Sequence, residues 1–191
     1  MPLDPWLLGV LLGVVAAALA YFVFASFLFG AGYQPTPPSA ALEMLRLAEL
    51  TPRDTLYDLG AGTGALVFRA VRLYGARAVG VEVEPIRVLV LRLRRALSGA
   101  PDRLTIRWGN MFDLDFSGAT VVATFLWPGA MERLRPKFEA ELRPGARVVS
   151  HCHPIDGWTA EVHDPRTDVY LYRWPAARGS GSPEGAPTGG R

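Results

Sequence analysis

Three glycines at alternate positions, Gly60, Gly62 and Gly64, follow the apolar run 55–59 and precede a helical pattern carried by Ala65, Leu66, Phe68, Ala70 and Val71. A short apolar run flanked in this way reads as a buried parallel strand that enters a helix through a tight turn. With no side chains on the turn, a ligand can lie against backbone N–H groups at a helix N-terminus. A second acid, Glu82, closes the next apolar run, 78–82. It stands about 20 residues beyond the glycines, where a ribose-binding carboxylate is expected. A chain built around this unit forms an open α/β sheet with its ligand at the carboxyl ends of the strands.

Two ligand classes use such a loop. Gly60-x-Gly62-x-x-Ala65 satisfies the dinucleotide fingerprint, whereas Asp58 followed by Gly60-x-Gly62-x-Gly64 suits S-adenosylmethionine. Asp58 favours the second. At the end of its strand the carboxylate repels a pyrophosphate and attracts the ammonium and sulfonium charges of S-adenosylmethionine. Length agrees, because about 140 residues beyond the N-terminal apolar segment leave little room for two mononucleotide halves and a substrate region.

The stretches Tyr57-Asp-Leu-Gly-Ala-Gly-Thr-Gly64 and Val79-Gly-Val-Glu-Val83 resemble the first two motifs of the seven-strand (class I) S-adenosylmethionine-dependent methyltransferases. Three more resemble one branch, the small protein-lysine methyltransferases of archaea and their membrane-anchored bacterial and mitochondrial relatives. These are Tyr33-Gln-Pro-Thr-Pro37, Ala119-Thr-Val-Val122 with Leu126-Trp-Pro128, and Leu142-Arg-Pro-Gly-Ala-Arg-Val-Val-Ser-His151. The resemblance spans residues 33–158. It implies a doubly wound, Rossmann-like α/β fold with a seven-strand methyltransferase sheet and S-adenosylmethionine as cofactor. Asp58 and the loop Gly60, Ala61, Gly62, Thr63 and Gly64 would meet the methionine moiety, Glu82 and Val83 the ribose, and Asn110 and Met111 the adenine. An aspartate is commoner at position 110, but Asn110 can accept the same hydrogen bond through its carbonyl. Tyr33 and Thr36 would cover the methionine end; read from its prolines alone, their segment is a stiff spacer.

The acceptor side is less clearly marked. Many amine methyltransferases carry an Asp/Asn-Pro-Pro-aromatic motif after the fourth strand; here Leu126-Trp127-Pro128 has neither acid nor amide. Trp127 is the candidate wall of the acceptor pocket, able to offer its face to a cationic amine, or else it packs under the next helix. His151, at the end of the strand 146–151, is a second catalytic candidate. The resemblance implies a protein lysine as acceptor. A small-molecule or lipid-soluble acceptor, or a non-catalytic S-adenosylmethionine-binding scaffold, are the alternatives. His151-Cys152-His153 does not make a metal site, since a strand turns the cysteine away from the histidines and no other zinc spacing is present.

From Trp6 to Gly30 no residue is charged. As a helix this stretch reaches roughly 37 Å, enough for a ~30 Å hydrocarbon core. A secretory signal would place basic residues before it; only Asp4 is there. Arg46 and Arg53 follow, which puts the remainder in the cytoplasm. The chain is therefore expected to comprise a transmembrane anchor (1–32), a methyltransferase domain (33–175) and a flexible tail (176–191). A net charge of +2 is too mild to argue for nucleic acid. The arginines of the predicted helix 85–97 form a solvated face, or a contact with anionic lipid or an acidic partner. Pro136 should kink or split the helix 130–142, a strand is expected over 119–126, and 158–162 with 169–174 should form the closing hairpin.

Overall fold

The computed structural model of the chain describes residues 4–28, 34–175 and 177–178. Tyr33 and nearly all of the expected tail lie outside the described residues. The elements run α1 (Pro5–Leu28), α2 (Pro38–Leu47), β1 (Thr55–Leu59), α3 (Ala65–Tyr74), β2 (Arg77–Glu82), α4 (Pro85–Ala96), β3 (Leu104–Trp108), β4 (Val121–Thr124), α5 (Pro128–Glu141), β5 (Arg147–His151), β6 (Trp158–Thr159), β7 (Val162–Asp164), β8 (Val169–Arg173) and β9 (Ala177–Arg178).

Seven strands form one sheet in the order β3-β2-β1-β4-β5-β8-β7. The first five are parallel, and β8 and β7 close it antiparallel. The chain moves outward from β1 to β3, then returns to lay β4 on the other side of β1. That reversal opens a crevice between the β1 and β4 ends, where doubly wound sheets bind ligands. Alternate side chains of each strand feed opposite layers. Leu56, Ala78, Val121 and Val149 pack with α2, α3 and α4. Val79, Val81, Val122 and Val148 pack with Met131, Leu134 and Phe138 of α5. All four residues of β4 are buried, as expected of a strand covered on both faces.

Four expectations need correction. The fourth strand is shorter than 119–126, because the chain leaves the sheet after Thr124 and frees Phe125, Leu126 and Trp127 to face the crevice. Pro136 lies inside α5, which runs through it unsplit, so of the kink or split expected there the split is overturned; Met131, Leu134 and Phe138 are buried on either side of it. The hairpin partner of β8 is β7, not 158–162 as a whole. Trp158 is instead drawn into the core against Trp174, ring centroids 5.1 Å apart, and β6 pairs with β9. Ala177 and Arg178 are thus paired strand residues rather than the start of a tail.

Helix α1 contains no charged residue over its 24 positions. Its side chains are described only as far as Tyr21, and among the described residues no helix is long and apolar enough to cross a membrane. The expected transmembrane span is not supported at that level.

Asp54 ties the amino-terminal edge of the sheet together. Its carboxylate accepts from Thr51 N (2.8 Å), Thr51 Oγ1 (2.7 Å) and Thr120 Oγ1 (2.7 Å), and pairs with Arg147 at the start of β5. Arg147 also donates to the carbonyls of Ala48 and Glu49 beyond α2. Burial alone would raise the Asp54 pKa, but the bonds from Thr120 and Thr51, then the Arg147 charge, leave it lowered. Its stabilising contribution is therefore present above the usual carboxylate range and is lost as pH falls through the depressed value. Removing one partner of a buried pair leaves the other uncompensated, so Arg147→Met should destabilise the domain by about 3 kcal/mol in urea unfolding.

Candidate active site

The glycine turn fixes the start of α3. Gly64 takes φ of +91° at the N-cap, and a Cβ there would run into the Phe68 ring and lie 2.9 Å from Leu91. It is required for packing and does not line the crevice, contrary to its expected place against the ligand. The other loop residues, Gly60, Ala61, Gly62 and Thr63, do line it, together with Thr36, Asp58, Glu82, Val83, Asn110, Met111 and Trp127. They enclose a cleft of about 300 Å³ at the ends of β1, β2, β3 and β4.

Glu82 is buried and joins two strands' loops. Its Oε2 accepts from Gly62 N at 2.8 Å, and its Oε1 accepts from Val83 N and Glu84 N, each at 3.0 Å. A carboxylate has about four acceptor positions, so capacity remains for a diol hydroxyl. Glu84, fully buried, caps α4 by accepting from Ile86 N (2.9 Å) and Arg87 N (2.7 Å). Asn110 Oδ1 accepts from Phe112 N at 3.1 Å and caps the single 3-10 turn Met111–Asp113. Its second lone pair and its amide remain available to a base edge.

Asp58 is the electrostatic focus of the cleft. It is buried and accepts no hydrogen bond among the described residues. Burial first, and the Glu82 charge second, push its carboxyl up to about 7. Such a group calls for a cation, and the ammonium of S-adenosylmethionine fits. Two buried acids beside a loop of bare backbone thus match the cofactor's amine and diol.

On the acceptor side, Trp127 is 54 % exposed, lines the cleft mouth and stacks on His153 with ring centroids 6.0 Å apart. It does not pack beneath α5. His151, the other candidate, does not line the cleft. It is buried against Phe125 at 4.5 Å, with Nδ1 3.3 Å from the Asp168 carbonyl. Sequence reasoning missed Phe125, Phe112 and Arg133, all of which line the cleft; the Arg133 guanidinium lies 3.8 Å over the Phe112 ring. Only the shortened β4 would have exposed Phe125, and nothing in the sequence marks the Phe112–Arg133 pair. Among the described residues no group of three or more His, Cys, Asp or Glu is placed to hold a metal.

The family model of the ANTKMT methyltransferase domain matches residues 58–162. A protein-lysine N-methyltransferase of Saccharolobus islandicus (strain REY15A) is 40% identical over 147 residues, 73% of this chain and 91% of that protein. The chain belongs to the ANTKMT methyltransferase family. The adenine nucleotide translocase lysine N-methyltransferase of Mus musculus is 30% identical over 119 residues. That match covers 61% of this chain and 52% of the mouse protein, so the chain spans about half of that relative's length. Among solved structures, an RNA methyltransferase from Salinibacter ruber in complex with S-adenosyl-L-homocysteine superposes with a TM-score of 0.71 at 37% identity. The alignment covers 82% of this chain and 98% of that one. This ANTKMT-family chain is a methyltransferase that uses S-adenosylmethionine.

Because the Asp58 carboxyl is raised to about 7 in the cofactor-free enzyme, the cofactor's ammonium must displace a proton below that pH. Affinity for S-adenosylmethionine should fall about tenfold per pH unit between pH 7 and pH 5 and level off above. Stability of the cofactor-free domain should move the other way, since the folded state holds this proton more tightly than the unfolded chain. Calorimetric titration across pH checks the first. Asp58→Asn should flatten the profile.

Proposed function

We propose that this enzyme N-methylates lysine side chains of protein substrates and works at a membrane. The observation that carries the substrate class is the 40% identity to a protein-lysine N-methyltransferase of which the match covers 91%. The cleft mouth supports it. An acceptor reaching the cofactor would pass the exposed Trp127 ring and the apolar Phe125 and Leu126, which would strip water from it and pack along its methylenes.

S-adenosylmethionine supplies a sulfonium-bound methyl with a thioether leaving group that needs no acid. The residues then have three tasks. Asp58 and the glycine loop would hold the amino-acid end, Glu82 the ribose, and Asn110 with Met111 the adenine, all of them residues that line one cleft with Trp127. Positioning of this kind contributes most of the rate when the leaving group is already good. The nitrogen must present its lone pair, so the lysine gives its proton to water before attack. Two features of the mouth favour that neutral form. Apolar walls disfavour the ammonium, and the positive charge of Arg133 repels it. After transfer, the product ammonium is expelled for the same reasons.

Membrane association is supported by α1, whose described side chains, Trp6, Leu7, Leu8, Val10, Leu11 and Leu12 among them, are exposed and apolar. The charge bias, with Asp4 before the helix and Arg46 and Arg53 after it, favours a methyltransferase domain that faces the cytoplasm.

Incubating the enzyme with methyl-labelled S-adenosylmethionine and cell membranes should place label in protein bands that yield methyl-lysine on hydrolysis. The Salinibacter neighbour is an RNA methyltransferase, which raises a second reading, RNA as acceptor; ribonuclease-sensitive label would replace the lysine reading with it. Label in the organic extract would mean a lipid-soluble acceptor, and binding without transfer a scaffold. Trp127→Ala should lower kcat/KM for the acceptor about tenfold while leaving the dissociation constant for S-adenosylmethionine unchanged. Removing residues 1–32 should release the enzyme from carbonate-washed membranes.

A further inference from the structure

Helix α4 is apolar on the side that faces away from the protein. Val88 and Leu91 point into the core, while Ile86, Leu89, Leu93 and Leu97 recur along the opposite side. Leu89, Leu93 and Leu97 are 67 %, 61 % and 78 % exposed. A surface helix ordinarily shows charged residues there. Beside the helix start, Trp108 is 62 % exposed, and its indole donates to the Val83 carbonyl at 3.0 Å, which fixes the ring at the end of the ridge.

The charge carried by this helix is of one sign. Between Glu84 and Asp102 the sequence has four arginines and no acid. Arg87 is buried, and Arg92, Arg94 and Arg95 remain along the helix. Arg94 lies over Phe68 at 4.4 Å and donates to the Thr63 carbonyl, which holds its cation at the flank of the ridge. Arg92 stands exposed on the other flank.

We propose that the outer face of α4 with Trp108 is a docking surface for an anionic lipid bilayer. Leucines and a fixed tryptophan enter the headgroup boundary, while the flanking arginines meet lipid phosphates. A second copy of the chain fits the same face poorly. The ridge lies on one 12-residue helix, about 18 Å long, and falls well short of the ~800 Å² per partner of a stable interface. It would also oppose arginines with no acid on the helix to pair them. Because Glu84 and Arg87 at the start of α4 line the cofactor cleft, this contact would hold the cleft close to the bilayer.

The test uses the full chain with Cys152→Ser and an environment-sensitive fluorophore on a cysteine introduced as Leu93→Cys or, for comparison, Arg143→Cys. Each is mixed with vesicles of phosphatidylcholine alone or with phosphatidylglycerol, carrying nitroxide-labelled acyl chains. The probe at 93 should shift to the blue and be quenched on the phosphatidylglycerol vesicles, less so without the anionic lipid or at high salt. The probe at 143 should stay unquenched. An unquenched probe at 93 on protein that floats with the vesicles overturns the proposal and leaves α1 as the membrane contact. A blue shift without vesicles that grows with protein concentration overturns it in favour of a second copy. Protein that does not float at all overturns both this docking and the role proposed for α1.

Discussion

The Glu82 carboxylate is the tie on which the cofactor site depends, because it bonds at once to the glycine loop after β1 and to the turn after β2. Those two loops approach from neighbouring parallel strands, and the shared acceptor satisfies backbone N–H groups of both. The same carboxylate is the one a ribose diol would bind. The cleft is therefore shaped before the ligand arrives, by a group that keeps acceptor capacity for it. Glu84 repeats the device one step on, capping α4 and fixing the wall that continues from Glu82.

This arrangement stores an electrostatic cost. Asp58 and Glu82 are both buried, and the charge of the second raises the pKa of the first. A protein at rest relieves that repulsion by keeping a proton on Asp58; a cationic ligand relieves it by neutralising the charge. Below about pH 7 binding of a cationic ligand and proton release would be coupled, and at any pH a buried acid favours a cation over an anionic dinucleotide without any direct steric block.

The features legible in the sequence were those the backbone dictates. Gly60, Gly62 and Gly64 mark a turn that side chains would obstruct, and an acid at the end of each of two apolar runs can only lie at the strand ends. Asp58, the glycine loop and Glu82 followed from those facts, Thr36, Val83, Asn110 and Met111 from the family resemblance, and every described residue of that set except Gly64 lines the cleft. Gly64 shows why the rest was harder to read. The pattern required a glycine there, and the reason proved to be the Phe68 ring rather than the ligand. His151 failed for a related reason. Its place at a strand end gives the backbone position, but its ring packs on Phe125 and the Asp168 carbonyl and does not line the cleft. The pairing of β6 with β9 was invisible because two-residue strands carry no periodicity. Burial of Trp158 determined that pairing, and burial of a tryptophan depends on the whole fold.

The acceptor half of the cleft departs most from the pattern of amine methyltransferases, and its geometry suggests what takes over. Where an acid or amide would orient the nitrogen by hydrogen bonds, this chain leaves the sheet early and presents Phe125, Leu126 and Trp127 in succession. Those groups cannot discriminate nitrogen geometry through lone pairs, but they exclude water and tolerate a chain that enters at more than one angle. Under the proposed function, Arg133, placed over Phe112, would add a repulsion that weakens the ammonium form. On the same reading, such a mouth would act on a lysine amine by desolvation rather than by a fixed hydrogen-bond pattern. Selectivity among proteins must then come from surfaces outside the cleft, and the α4 ridge that begins at the cleft wall is well placed to supply it by fixing which height above a bilayer the mouth can reach.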